Sequence, residues 1–215
     1  LWGAGATAGG VLEGAHYHQA DDCWAFAFTT AFAIELVLIT FQAARGVPSH
    51  FNFSTTFNGV VFQVMAVSII ALWIAQGWLT LKAFRFRFAD PAIGWGIRMG
   101  LLLSTLGSGL AFTMTAGPTP QQAAAMEHGP VTMLGSHAVG VEDGGPGLPG
   151  TRWSTQGGDL RIAHFLGLHA LQVLPLFGFW LSRRSSKNSG VKPHGRIVAL
   201  FAAGYTGLIL TTLVQ

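Results

Sequence analysis

Phe57–Leu81 reads FNGVVFQVMAVSIIALWIAQGWLTL and contains no charged residue. About 20 helical residues, rising ~1.5 Å each, cross the ~30 Å hydrocarbon core of a bilayer. This stretch therefore predicts a membrane-spanning helix. Four other stretches share its length and apolar character: Trp24–Ala44, Ala92–Ala116, Ile162–Ser182 and Arg196–Val214. The expected fold is all-α, a polytopic transmembrane helix bundle of at least five spans forming a single domain over residues 1–215. Five is a lower bound, because the chain opens at Leu1 and stops at Gln215 directly after an apolar run, as a piece of a longer protein would. The first twenty residues lack the basic start and small-residue cleavage site of a secretory signal.

Composition agrees. Half of the 215 residues are apolar and 10% are charged, against roughly 25% charged in soluble domains. The lipid bilayer is the expected partner, with other membrane subunits as possible neighbours. The net charge of +3, with no basic run beyond Arg183, Arg184 and Lys187, argues against nucleic acid. A lone cysteine, Cys23, excludes an internal disulfide framework and a Cys-rich metal cluster.

Between the third and fourth spans lies Gly117–Asp159, with five of the nine prolines and ten of the glycines. It cannot be a spanning helix, since the backbone groups freed by proline and glycine find no partner in hydrocarbon. Residues 117–160 are read as a structured cap loop, anchored by Leu148 and Trp153. Lys82, Arg85, Arg87, Arg98, Arg183, Arg184, Lys187, Lys192 and Arg196 flank two connections on one side of the membrane, against Arg45, Arg152 and Arg161 on the other. The positive-inside bias puts the nine in the cytoplasm and the cap outside. Arg98, a turn or two inside its span, is expected to snorkel toward the cytoplasmic surface. Small residues at four-residue spacing, Gly96, Gly100, Ser104 and Ser108 in the third span and Ala199, Ala203 and Gly207 in the fifth, predict close helix approach. Pro175 interrupts the fourth span. No internal repeat is visible.

Glu35 stands near the middle of the first span, where a charge costs roughly 2.5–3.5 kcal/mol on insertion scales. Gln42, seven residues on, shares its helix face, and both are expected to look into the bundle. Glu35 is a candidate proton site, ligand or catalytic carboxylate; the structural alternative is a protonated carboxyl bonded between helices. Five histidines, His50, His128, His137, His164 and His169, gather on the outer side, whereas His16, His18 and His194 fall on the inner side. His164 and His169 are about 140° apart around the helix. One metal would take both only with distortion, so two sites, or one ligand and one supporting residue, fit better. Each imidazole alone could equally make a helix-to-helix hydrogen bond. Asp143-Gly-Gly-Pro is a turn signal. Asp159 and Arg161 are candidates for catalytic roles, and also for a structural ion pair at the start of the fourth span.

The stretch ELVLITFQAARGVPSHFN over Glu35–Asn52, the cap around His137 and HFLGLH over His164–His169 resemble a family of polytopic bacterial membrane proteins. The resemblance covers Trp24 to the end of the chain. It implies this fold and a bacterial inner-membrane home, and no reaction. Where the resemblance leads one to expect an acidic residue after the first loop, this chain has Asn58.

Three functions remain in play. The first is a membrane protein that binds a transition metal or haem b at its outer face for redox chemistry, with His50, His137, His164 and His169 as cofactor ligands and His137, His164 and His169 as the metal set. No Cys-x-x-Cys-His is present, which excludes covalent c-type attachment of haem. The second is a metal-dependent membrane hydrolase with a carboxylate as base. The third is a transporter or sensor, without catalysis, in which Glu35 carries a proton.

Overall fold

The computed structural model describes residues 8–188 and 195–214, with side chains described over 25–184 and 195–214. The side chains of His16, His18, Cys23, Lys187, Lys192 and His194 lie outside these. Helices α1 (Ala8–Ala44), α2 (Thr56–Arg85), α3 (Pro91–Gly109), α6 (Leu160–Asn188) and α7 (Gly195–Leu213) form the bundle. Each contains a stretch long and apolar enough to cross a membrane, beginning at Ala25 in α1. The chain is a multi-pass membrane protein of all-α architecture.

The segment after α3 belongs to the third span but is not one uniform helix. The chain tightens at Leu110, whose N–H reaches the carbonyls of Leu106 and Gly107, and a short α4 (Ala111–Met114) carries it on. Within the cap, α5 (Pro120–Met126) starts with a reciprocal bond between Thr119 and Gln122 and with Pro at its first position. That is a capping box followed by a residue whose missing N–H is no loss there. Two short strands, β1 (Ala138–Val139) and β2 (Gly158–Asp159), pair antiparallel and close the cap into a hairpin-like fold.

Helix α3 is central and packs against α2, α6 and α7, while α1 packs against α2. The α3–α6 seam is backbone on backbone. A Cβ on Gly107 would stand 2.4 Å from Gly167 Cα, one on Gly96 2.6 Å from the Leu174 carbonyl oxygen, and one on Gly178 2.5 Å from that of Ala92. Gly100 leaves room for the Pro175 ring, so the proline that interrupts α6 is seated in a notch of α3. The expected ridge on α3 is thus half right. Gly96 and Gly100 serve as predicted, but Gly107, not Ser108, continues the seam. Ser104 faces α2, where its hydroxyl accepts from Gln76 Nε2 at 2.9 Å. The predicted ridge on α7 is on the wrong face. Gly195, Val198, Ala202 and Ile209 are buried, whereas Ala203 and Gly207 are exposed. Small size decides packing only where a neighbouring helix is present, and a four-residue spacing does not say which face that is.

A leucine-rich cluster of Leu103, Ala170, Leu174 and Ala202, flanked by Met99 and Tyr205, fills the space between α3, α6 and α7. The α2–α3 seam is polar instead: Trp73 Nε1 donates to the Thr105 carbonyl at 2.9 Å, and the Thr80 and Thr105 hydroxyls are 2.9 Å apart. Arg98 does not simply reach for solvent. Its guanidinium donates to the carbonyls of Ala83 (3.0 Å) and Phe86 (2.8 Å), satisfying carbonyls that the end of α2 would otherwise leave open.

The seam predicts a graded response. Gly107→Leu should lower thermal stability in detergent by about 1–3 kcal/mol or more, since backbone must move to admit it. Gly77→Leu and Gly204→Leu, whose Cβ positions meet nothing within 4 Å, should leave the melting temperature close to that of the parent.

Candidate functional site

At the end of the bundle where α1 and α3 finish and α2 and α6 begin, the first loop and the cap meet. Helix α1 ends at a left-handed Gly46 (φ 68°), with N–H bonds from Gly46 to Ala43 and from Val47 to Gln42 turning the chain back. That is the glycine stop that satisfies terminal carbonyls. The following loop re-enters the bundle, burying Phe51 and Asn52. It also pairs with the cap: Phe53 N–H donates to Thr132 O at 2.8 Å and Leu134 N–H to Phe51 O at 3.1 Å.

A chain of polar side chains bolts this loop down. Asn52 Nδ2 donates to Pro48 O at 3.0 Å, Ser54 Oγ donates to Asn52 Oδ1 at 2.6 Å, and Asn58 Nδ2 donates to Ser54 Oγ at 2.9 Å. Asn58 Oδ1 then accepts from Arg45 (2.8 Å) and Gln42 (3.3 Å), and Arg45 also donates to Gln42 Oε1. Asn58 stands where an acid was expected, and its amide takes both donors while donating onward itself. Gln42 is fully buried and Glu35 is 8% exposed, so the expected polar stripe on α1 does face inward.

Glu35 is met by the re-entrant loop. Its Oε1 lies 3.5 Å from His50 Nε2, while Oε2 is buried with no hydrogen-bond partner. The other ring nitrogen of His50 bonds Ser49 Oγ at 2.9 Å. Phe51, next in the chain, holds a left-handed φ of 60° while 4% exposed. That conformation costs a bulky residue roughly 1–3 kcal/mol. It is retained because the ring is clamped against His50 (centroids 6.2 Å), Phe62 (6.0 Å) and His137 (4.8 Å).

His137 belongs to the cap and is organised by Asp143. The Asp143 carboxylate accepts from the backbone N–H of His137 (2.9 Å) and Ala138 (2.7 Å), from Ser136 Oγ (3.1 Å) and from the His137 ring at Nδ1 (3.0 Å). Burial works to raise the Asp143 carboxyl, but the two backbone N–H bonds and the neighbouring imidazole outweigh it and hold it below the usual carboxylate range. Burial pushes the His137 imidazole below 6.5 despite the nearby Asp143 charge. Asp159, 1% exposed, is held low in the same way: burial raises it, and bonds from the Arg161 side chain, Ser154 N–H and Arg161 N–H more than compensate. Arg161 forms the expected ion pair at 2.7 Å and also donates to Arg152 O at 2.7 Å. This pair ties the cap to the first turn of α6, so the structural role weighed for it is the one its bonds describe. Trp153 anchors the cap on Phe165 of α6 (centroids 5.6 Å). Leu148 anchors only through its backbone; its side chain is exposed.

His164 and His169 point different ways. His164 Nδ1 is 2.8 Å from Gly107 O and His169 Nδ1 is 2.9 Å from Phe165 O. A carbonyl only accepts, so both rings carry their proton on Nδ1 and present a free Nε2. His164 is within electrostatic reach of His50. His169 lies on an exposed face of α6, tilted over Phe165 at 4.0 Å. The structure therefore brings Glu35, His50, His137 and His164 to one end, with His50 and His137 against Phe51, and leaves His169 to one side and His128 exposed beyond α5. Among the described residues no three His, Cys, Asp or Glu side chains form a group able to hold a metal ion. The His137, His164 and His169 set is thus not assembled. The two α6 rings diverge as their five-residue spacing requires, and Asp143 engages His137 at Nδ1.

Between loop and cap opens a cavity of about 720 Å³, walled by His50, Phe51, Gln121, Gln122, His137 and Asp143 among others. A smaller one of about 280 Å³ shares His137 and Asp143 and adds Arg152 and Arg161. Gln122 is a residue sequence reasoning missed. Its amide oxygen accepts from Thr119 and Gly135 N–H while its nitrogen donates to Gly135 O at 2.9 Å, clamping α5 to the segment that leads into His137. Only the Thr-x-x-Gln spacing could have signalled it. Comparison of the chain with known protein families, with curated proteins and with solved structures returns no match.

The depressed groups give the cap a defined acid response. His137, neutral when folded, contributes stability that is whole above its unfolded value of 6.5 and lost as pH falls from there through its folded value. Asp143 and Asp159 contribute stability that is whole above the unfolded 3.8 and lost only as pH falls through their lower folded values. The protection of amides over residues 136–145, measured relative to their intrinsic exchange rates at each pH, should therefore fall in two stages on acidification. Asp143→Asn should lower that protection already at neutral pH, by removing the charge and replacing one of the two acceptor oxygens with an NH2 donor.

Proposed function

We propose that this chain is a bacterial inner-membrane protein that binds a solute in the outward-facing cap cavity and couples that binding to a proton held by Glu35. The observation that carries this is the Glu35–His50 contact. A buried carboxylate with one orphan oxygen is linked to the cavity through a single imidazole whose Nε2 faces the acid and whose Nδ1 faces Ser49. An imidazole with both nitrogens engaged passes a proton by taking it on one and releasing it from the other. Carboxylates inside a span, paired with a titratable partner and near a cavity, are the usual parts of proton-linked transporters and sensors. Outside placement of the cap follows from the nine-to-three division of cations.

A second reading, redox chemistry on haem b or a transition metal, is favoured by one specific feature. His164 and His169 each have Nδ1 locked to a backbone carbonyl and Nε2 free, the arrangement in which a ligating imidazole is oriented. A haem requires one or two such side chains, and a partner membrane subunit could supply the second. Nothing in the geometry favours the hydrolase reading over these two.

Infrared pH-difference spectra of the purified protein in lipid test the proton site. Among the carboxyl stretches that appear on acidification, one component should be lost in Glu35→Gln and change its pH dependence in His50→Phe, with all three proteins folded by thermal melt. A carboxyl band unchanged in Glu35→Gln, or indifferent to His50→Phe, sinks the relay. A Soret band or stoichiometric metal in the same sample would move the weight to the redox reading. Orientation has its own test in a Cys23→Ser background: an impermeant maleimide should label Gly145→Cys and spare Lys187→Cys in intact cells. The reverse pattern would invert the protein.

A further inference from the structure

The end of the bundle opposite the cap carries a charge distribution that the proton site does not use. Arg85 and Arg87 at the end of α2, Arg183 and Arg184 near the end of α6, and Arg196 in the first turn of α7 are all exposed. None has an acidic partner among the described residues. The sequence adds Lys187 and Lys192 to the α6–α7 connection, and no Asp or Glu occurs anywhere from Leu160 to Gln215. Asp90, the acid of the α2–α3 turn, is committed to the N–H groups of Ala92 and Ile93 and to the Ser182 hydroxyl.

These arginines are not explained by helix stability. At the end of α2 it is Arg98 that bonds the Ala83 and Phe86 carbonyls, not Arg85 or Arg87. Arg196 sits at a helix N-terminus, where the macrodipole disfavours a cation. Arg183 and Arg184 lie over Phe179 and Trp180 one turn back, at 5.5 and 4.8 Å from the ring centroids. Such stacking leaves the edges of a guanidinium open for hydrogen bonds, and its fork matches phosphate oxygens. The aromatic rings beneath mark the depth of a membrane interface.

We propose that this end of the bundle, centred on Arg183, Arg184 and Arg196 with Arg85 and Arg87 beside them, is a binding surface for the phosphate headgroups of anionic phospholipids. The partner is the charged leaflet itself, and the arginines select for it over zwitterionic lipid.

Native mass spectrometry of the full chain, released from nanodiscs of phosphatidylcholine mixed with phosphatidylglycerol, reads the selection directly. The parent should retain phosphatidylglycerol preferentially and melt higher in mixed discs than in phosphatidylcholine alone. Each arginine near an anionic surface is worth roughly fivefold in binding, so the triple variant Arg183→Gln, Arg184→Gln, Arg196→Gln should weaken the preference by up to about a hundredfold. Arg152→Gln, at the cap end, should keep it. If the triple variant fails to fold, Arg184→Gln alone should lower the preference while Arg184→Lys retains part of it. Equal retention of the two lipids by the parent overturns the proposal, as does a preference untouched by these Gln variants or lost equally in Arg152→Gln.

Discussion

Everything at the cap end depends on how closely α3 and α6 approach. Gly107 and Gly167 bring the two backbones together where any side chain would collide, and one turn before Gly167 the His164 ring donates to the carbonyl of Gly107. In a bilayer the hydrophobic effect does not drive helices together, so van der Waals contact and hydrogen bonds must. This contact supplies both. It sets the rotation of α6, and so decides that His164 turns toward the bundle while His169, about 140° away, turns out.

From that seam the cap is built by two carboxylates with parallel tasks. Asp159 joins the start of α6 to Ser154 and Arg161, and Asp143 gathers the backbone N–H groups of His137 and Ala138 with the Ser136 hydroxyl and the His137 ring. Asp159 is buried and Asp143 exposed, yet each is an acceptor surrounded by donors, which helps keep a polar, proline-rich segment ordered with little regular secondary structure. The first loop enters the same assembly through its pairing with Thr132 and Leu134. His50 and His137, from segments far apart in the chain, therefore meet on either side of Phe51. The left-handed backbone at Phe51 is held by the packing of its ring against both imidazoles.

The polar content of the two bundle ends is divided accordingly. One end holds hydrogen-bonded polar groups around cavities, while the other holds exposed arginines, two of them stacked on aromatic rings. A chain with 10% charged residues thus places many of them where the bilayer ends, and admits Glu35 to its interior only beside an imidazole. Arg45 and Arg98 follow the same logic: each finds oxygen acceptors within the protein and an aromatic face beneath.

Much of this was readable from the residues alone. The five spans, the cap between the third and fourth, the inward face shared by Glu35 and Gln42 and the Asp159–Arg161 pair all rest on local properties: summed apolarity over about 20 residues, helical angle, and short-range charge. The α7 ridge, the place of Gly107 in the α3 seam, the Gln122 clamp and the hub at Asp143 did not come through. Neither did the meeting of His50 with Glu35, or the separation of His169 from the other imidazoles. These depend on which face of a helix finds a neighbour and on how deeply a loop re-enters the bundle. Apolarity adds up along the chain and so determines that the helices span; the rotation of each helix and the path of each loop are settled by contacts between distant segments, which only the tertiary structure contains.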